Sequence, residues 1–287
     1  MQKSFLMILL ILSSFLYTNL TFAKLKVVAA ENFYGAVAKE LGDEFVQVVN
    51  ILNNPSQDPH LFSTTPSIAK AMADADIIVY NGDDYDPWVT PMLNSETSSQ
   101  IINVANLAKI PSGTNPHIWY SPNVMPIFAK KITELYIAKD PEHQKIFESK
   151  LQQFLTDYQK IFSKIASIKT RFHNINVIAT EPVFNEMLES FGFTIHGKDF
   201  QMKMMNDIPP SISEIKEFET DLRNHRVQLF IFNDQVVNPM TTKMLEIAKE
   251  EKIPIVGVTE LMPPNISYVD WILRELDQVE KALEGTL

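Results

Sequence analysis

From Glu142 to Ile168 the chain runs without a glycine or a proline, directly after Pro141. In this stretch Phe147, Leu151, Phe154, Tyr158, Phe162 and Ile165 recur at intervals of three and four residues. That spacing puts them on one face of a helix, and the spacing predicts one long amphipathic helix over Glu142 to Ile168. The apolar stripe covers only a few turns, which fits a helix packed on a core better than a coiled coil.

On both sides of this helix, short apolar runs alternate with helix-patterned segments. Before it, strands are expected at Leu25–Ala30, Val46–Leu52, Ile77–Tyr80 and Ile101–Val104, with helices at Asn32–Leu41, Ser67–Ala75 and after Pro122. Beyond it come strands at Asn176–Ala179, Phe193–Ile195, Val227–Phe232 and Ile255–Val258. The helices expected among them are Val183–Phe191, Ser213–Asn224, Met240–Glu251 and Tyr268–Leu283. Strands alternating with helices make parallel sheets covered on both faces. The fold class expected is therefore α/β: two lobes, each a mostly parallel sheet flanked by helices, joined by one long rigid helix. The expected bounds are 24–140 for the first lobe, 141–169 for the linking helix and 170–287 for the second lobe.

Residues 1–23 read as an address rather than as fold. Lys3 is followed by an apolar run from Phe5 to Leu16, and Thr21-Phe22-Ala23 offers small residues where a signal peptidase reads. The run is short for a bilayer span, which takes about 20 residues. Cleavage after Ala23 and export to a bacterial periplasm are the expectation. There is no cysteine, which excludes disulfides, thiolate metal sites, a thiol nucleophile and a lipid-bearing cysteine. With 35 acidic against 25 basic residues the net charge is −10. That balance argues against nucleic acid and anionic membranes as partners, and it suits a cation. A monomer is expected.

Two of the six histidines sit in nearly the same phrase, Asp58-Pro-His60 and Asn115-Pro-His117. Proline fixes the backbone ahead of each imidazole, as a preset ligand needs. Two glutamates follow strands in the second half: Glu181 after Asn176–Thr180, and Glu260 after Ile255–Thr259. Carboxylates at the carboxyl ends of parallel strands face the crevice where such sheets bind ligands, although helix capping would also explain each one alone. Two imidazoles and two carboxylates can hold Zn²⁺, Mn²⁺ or Fe²⁺. Asp234, Gln235 and Asp207 are candidates for lining the same cleft, with structural turns as the other reading.

In order and spacing these phrases resemble the periplasmic zinc/manganese-binding proteins of metal ABC transporters, the cluster A-I solute-binding family. The carriers are Ala30-Glu-Asn-Phe-Tyr34, Asp58-Pro-His-Leu-Phe62, Tyr80-Asn-Gly-Asp-Asp-Tyr-Asp-Pro-Trp88, Asn115-Pro-His-Ile-Trp-Tyr120, Ala179-Thr-Glu-Pro-Val-Phe184 and Val256-Gly-Val-Thr-Glu260. The resemblance implies two lobes with one metal ion, Mn²⁺ or Zn²⁺ with Fe²⁺ also in range, buried between them. It implies His60 and His117 as two ligands, Glu181 in a third place taken by His in many zinc members, and Glu260 where an aspartate is usual. A membrane permease with its ATPase is the implied partner, and no catalysis is implied. The histidine-rich loop of many zinc members has no counterpart between His60 and His117. The rival readings are a secreted metal-dependent hydrolase and a metal-stabilised adhesin. The first is disfavoured because no HExxH, GxSxG or P-loop pattern occurs.

Overall fold

The computed structural model describes residues 23–54, 62–93, 99–236 and 238–285. The expected signal segment up to Phe22 and the Asp58-Pro-His60 phrase lie outside the described residues.

Strands β1 (Leu25–Glu31), β2 (Val46–Leu52), β3 (Ile77–Tyr80) and β4 (Gln100–Asn103) form one parallel sheet in the order β2-β1-β3-β4. Strands β5 (Asn176–Ala179), β6 (Thr194–His196), β7 (Leu229–Asn233) and β8 (Ile255–Val258) repeat that order in a second parallel sheet, β6-β5-β7-β8. Val27, Ala29, Ile77 and Val79 in the first sheet, and Val177, Ile178, Leu229 and Phe230 in the second, are fully buried. Burial on both faces is why the strands read as unbroken apolar runs instead of alternating ones.

The helices are α1 (Asn32–Gly42), α2 (Pro66–Ala73), α3 (Val104–Leu107), α4 (Val124–Lys139), α5 (Gln144–Arg171), α6 (Asn185–Phe191), α7 (Lys198–Met205), α8 (Ile212–Arg223), α9 (Pro239–Glu250) and α10 (Tyr268–Glu284). Proline at N1 starts α2 and α9, and a Ser211–Glu214 capping box starts α8. Helix α6 ends on Gly192 in the left-handed conformation at φ +79°. The predicted linking helix is present as α5, 28 residues long. The strand expected from Val227 starts two residues later, at Leu229. Helices α3 and α7 were not expected.

Helix α5 packs against α1 and α4 of the first lobe and against α6 and α10 of the second. Its buried face includes Phe147, Phe154, Tyr158, Ile161, Ile165 and Ile168. Lys164 and Arg171 reach across to Asp277, Glu280 and Glu284 on α10. The lobes also meet directly through a seam of rings: Phe33, itself stacked on Trp119 at 4.5 Å, lies 6.2 Å from Trp271, Tyr120 lies 5.4 Å from Trp271, and Tyr120 meets Phe184 edge-on at 4.9 Å. One core cluster therefore runs through both halves. No helix among the described residues is long and apolar enough to cross a membrane.

Glu275 of α10 is buried beneath this seam and accepts a hydrogen bond from Trp271 Nε1 at 2.9 Å. Burial pushes its carboxyl up to about 8, against the pull of the Trp271 hydrogen bond. A folded-state value above the unfolded one favours folding in acid, and that contribution drains away as pH rises through the folded value. Glu275→Gln should therefore leave stability near pH ~5 almost unchanged and raise it progressively toward pH ~9. Urea midpoints of the two proteins across that range check this. Parallel curves would show that the Glu275 carboxyl does not titrate as described.

Candidate metal centre

The carboxyl ends of both sheets point at the seam between the lobes, where open α/β sheets bind their ligands. From the first lobe comes His117, fully buried at the start of the turn Ile118–Tyr120. Its Nδ1 lies 2.8 Å from Asn115 Oδ1. An amide oxygen accepts only, so Nδ1 carries the proton and Nε2 offers its lone pair, the arrangement a metal-ligating histidine needs. Asn115 in turn donates from Nδ2 to the Pro182 carbonyl at 2.9 Å, which ties this phrase to the turn after Glu181.

From the second lobe come Glu181, 3% exposed, and Glu260, fully buried. The Asn233 side chain stands between them, where β7 ends. Its Nδ2 donates one hydrogen to Glu181 Oε2 at 2.8 Å and the other to Glu260 Oε1 at 2.6 Å. The second Glu260 oxygen accepts the Tyr85 hydroxyl at 2.8 Å and lies 3.7 Å from His117 Nε2. Gln235 Oε1 accepts the N–H groups of Glu260 and Leu261, fixing the segment that carries this glutamate.

His117, Glu181 and Glu260 are thus gathered around Asn233, and Gln235 supports them from behind. Among the described residues no three His, Asp or Glu side chains stand in metal-holding geometry. The two glutamates are both held by the Asn233 amide. Asp234 and Asp207 do not join the cluster. The Asp234 carboxylate lies over Gly257, where an added Cβ would come within 2.5 Å of both its oxygens. Asp207 is exposed on a left-handed turn at φ +54° and lines a groove with Ile208, Pro209 and Met240.

Charge around the centre is one-sided. Glu31, Asp86, Glu181 and Glu260 are each at most 3% exposed, and no lysine or arginine is buried among the described residues. Carboxylates out of water need a counter-charge, donors or protons.

A family model described as zinc-uptake complex component A, periplasmic, matches residues 27–282. The chain belongs to this zinc-uptake component family. Among its relatives, a manganese ABC transporter substrate-binding lipoprotein, PsaA of Streptococcus mitis, is 23% identical over 91% of this chain and 89% of its own. The high-affinity zinc uptake system protein ZnuA of Bacillus subtilis is 20% identical over 88% of this chain and 84% of its own. The periplasmic zinc-binding protein TroA of Treponema pallidum shares the fold with a TM-score of 0.76, at 15% identity over 91% of this chain and 99% of that one. A manganese-bound periplasmic metal-binding protein of Candidatus Liberibacter asiaticus superposes with a TM-score of 0.71, at 19% identity over 91% of this chain and all of that one. The family is one of solute-binding transport proteins, which agrees with the resemblance carried by the sequence phrases.

Sequence reasoning missed Asn233 and Tyr85. The signal for Asn233 was its place as the last residue of a strand beside the two strands that lead to Glu181 and Glu260. Tyr85 gave no such signal, because its partner is 175 residues away.

Proposed function

We propose that this protein captures one divalent transition-metal ion between its lobes, through His60, His117, Glu181 and Glu260, and delivers it to an ABC importer. The observation that carries this is the buried cluster of His117 and two glutamates, an anionic pocket lacking any buried lysine or arginine among the described residues. An arriving M²⁺ would supply the missing positive charge and take over the carboxylates from the Asn233 amide. His60 belongs to the same set through its phrase, which parallels the one that presents His117. The protein works in the periplasm after removal of residues 1–23, as a monomer, without catalysis of its own, and its partner is a permease with its ATPase.

Manganese is the cargo that the donor set favours. Two carboxylates that can each bind through both oxygens allow five or six coordination, which Mn²⁺ accepts more readily than Zn²⁺ does. Zinc nevertheless binds tighter in solution, as it does at almost any such site. Elemental analysis of the protein isolated from its own cells, with uptake assays in cells lacking it, tests both points. One manganese per chain and a loss of manganese uptake are expected. Zinc in the protein and a loss confined to zinc uptake would overturn the manganese assignment. Metal-free protein and unimpaired uptake of every ion would overturn the transport reading.

A further inference from the structure

Strand β1 ends in Glu31, as β5 leads to Glu181, so each lobe brings a glutamate to the carboxyl end of a central strand. Glu31 is fully buried, and neither of its oxygens accepts a well-formed hydrogen bond from a described residue. The Asn81 N–H lies close by, but it is given to Asp86 Oδ2 at 2.6 Å. Gly82 N–H donates to Asp86 Oδ1 at 2.9 Å. The Asp86 carboxylate is itself 2% exposed, and the two carboxyls are within hydrogen-bonding reach of each other.

Two ionised carboxylates cannot share such a place, since each lacks water and repels the other. Two backbone donors favour the charge on Asp86. Burial, then the Asp86 charge, drives the Glu31 carboxyl well above the usual range. The other titratable groups facing the pair are Tyr34 and Tyr85. Burial raises both phenols well above their ordinary value, so they serve as neutral donors: Tyr34 to Asn81 Oδ1 at 2.8 Å and Tyr85 to Glu260.

We propose that Glu31 is a buried carboxylic acid that keeps its proton and donates it in a hydrogen bond to Asp86, and that this pair positions Tyr85, and through it Glu260, for metal binding. Asp86 closes the turn Asn81–Asp86 by gripping its first two N–H groups. Gly82, Asp83 and Asp84 all take positive φ there, and Tyr85 N–H returns to the Gly82 carbonyl at 3.2 Å. The Tyr85 hydroxyl is delivered from this turn to Glu260. A second arm leaves the same strand end. Asn32, next to Glu31, donates to the Met262 carbonyl at 2.7 Å and accepts the Met262 N–H at 3.0 Å. The acid–carboxylate pair thus anchors two links to the segment Glu260–Met262. The positioning role rests on reading Glu260 as a ligand; the protonation of Glu31 does not.

The test compares Glu31→Ala and Glu31→Gln with the parent, using Mn²⁺ titrated in a metal buffer and infrared spectra of the metal-free and loaded proteins. Loss of an outer support typically weakens metal binding about 10- to 100-fold, and Glu31→Ala is expected in that range. Glu31→Gln is an isosteric neutral donor and should recover most of the loss. The parent-minus-Glu31→Gln difference spectrum, in which the protonated Glu275 carboxyl cancels, should carry the C=O band of a carboxylic acid in both the metal-free and the loaded protein. A Gln variant as impaired as the Ala variant, a reduced ion count per chain, or a difference spectrum without the band would mean an ionised, cation-holding Glu31 and overturn the proposal. Unchanged affinity in Glu31→Ala would overturn the positioning role. If the Ala variant fails to fold, the Gln variant and the band decide. Glu260→Ala with undiminished affinity would instead sink the ligand reading, while the band still judges Glu31.

Discussion

Replacing His117 with alanine is expected to weaken binding of Mn²⁺ or Zn²⁺ by more than about a hundredfold, beyond the effect of losing an outer-shell partner. The imidazole is fully buried, its tautomer is set by Asn115, and its Nε2 faces Glu260 across 3.7 Å. No water can substitute easily in so closed a place. The circular dichroism of the metal-free variant should match the parent, because the loop is still held through Asn115 to Pro182 and through the Tyr120 hydroxyl to the Thr259 carbonyl. His143→Ala is the control: that ring pairs with Asp140 at the foot of α5 and stacks on Phe45. Titration by calorimetry against a competing chelator reads both variants. Parent-like affinity in His117→Ala would place the metal elsewhere.

The second large effect belongs to Asn233. Its two amide hydrogens are given to the Glu181 and Glu260 carboxylates. Taking a partner from a buried charge costs about 3–5 kcal/mol, and Asn233→Leu should approach the lower end because Glu260 keeps the Tyr85 hydroxyl. A saturating cation provides the same service as the amide and adds its own stabilisation by mass action. The deficit should therefore be large with chelator present and narrow with metal. Chemical unfolding in both conditions measures it. An equal deficit in the two, or none in chelator, would show that Asn233 is not the group that stands in for the ion.

Most of the architecture was legible because parallel strands buried on both faces are plain apolar runs, and Ile77–Tyr80, Asn176–Ala179 and Ile255–Val258 have the observed ends. Helix α7 was not legible. Its residues Lys198–Met205 carry no clear apolar period, and only three of them, Phe200, Gln201 and Met204, are buried. At the centre, histidines and glutamates announced themselves by chemistry and by position after strands. Asn233, Tyr85 and Glu31 did not, since an amide, a phenol and a proton-bearing acid acquire meaning only from partners distant in sequence.

The ring seam also makes the molecule its own optical instrument. Of three tryptophans, Trp119 and Trp271 are fully buried in it, and the Trp119 ring centroid lies 5.2 Å from that of His117 and 4.8 Å from that of Tyr85. An indole in such contact with an imidazole changes its emission when the imidazole changes its bonding. Arrival and departure of an ion can then be timed by intrinsic fluorescence in a stopped-flow cell, with no dye and no label, on the unaltered chain.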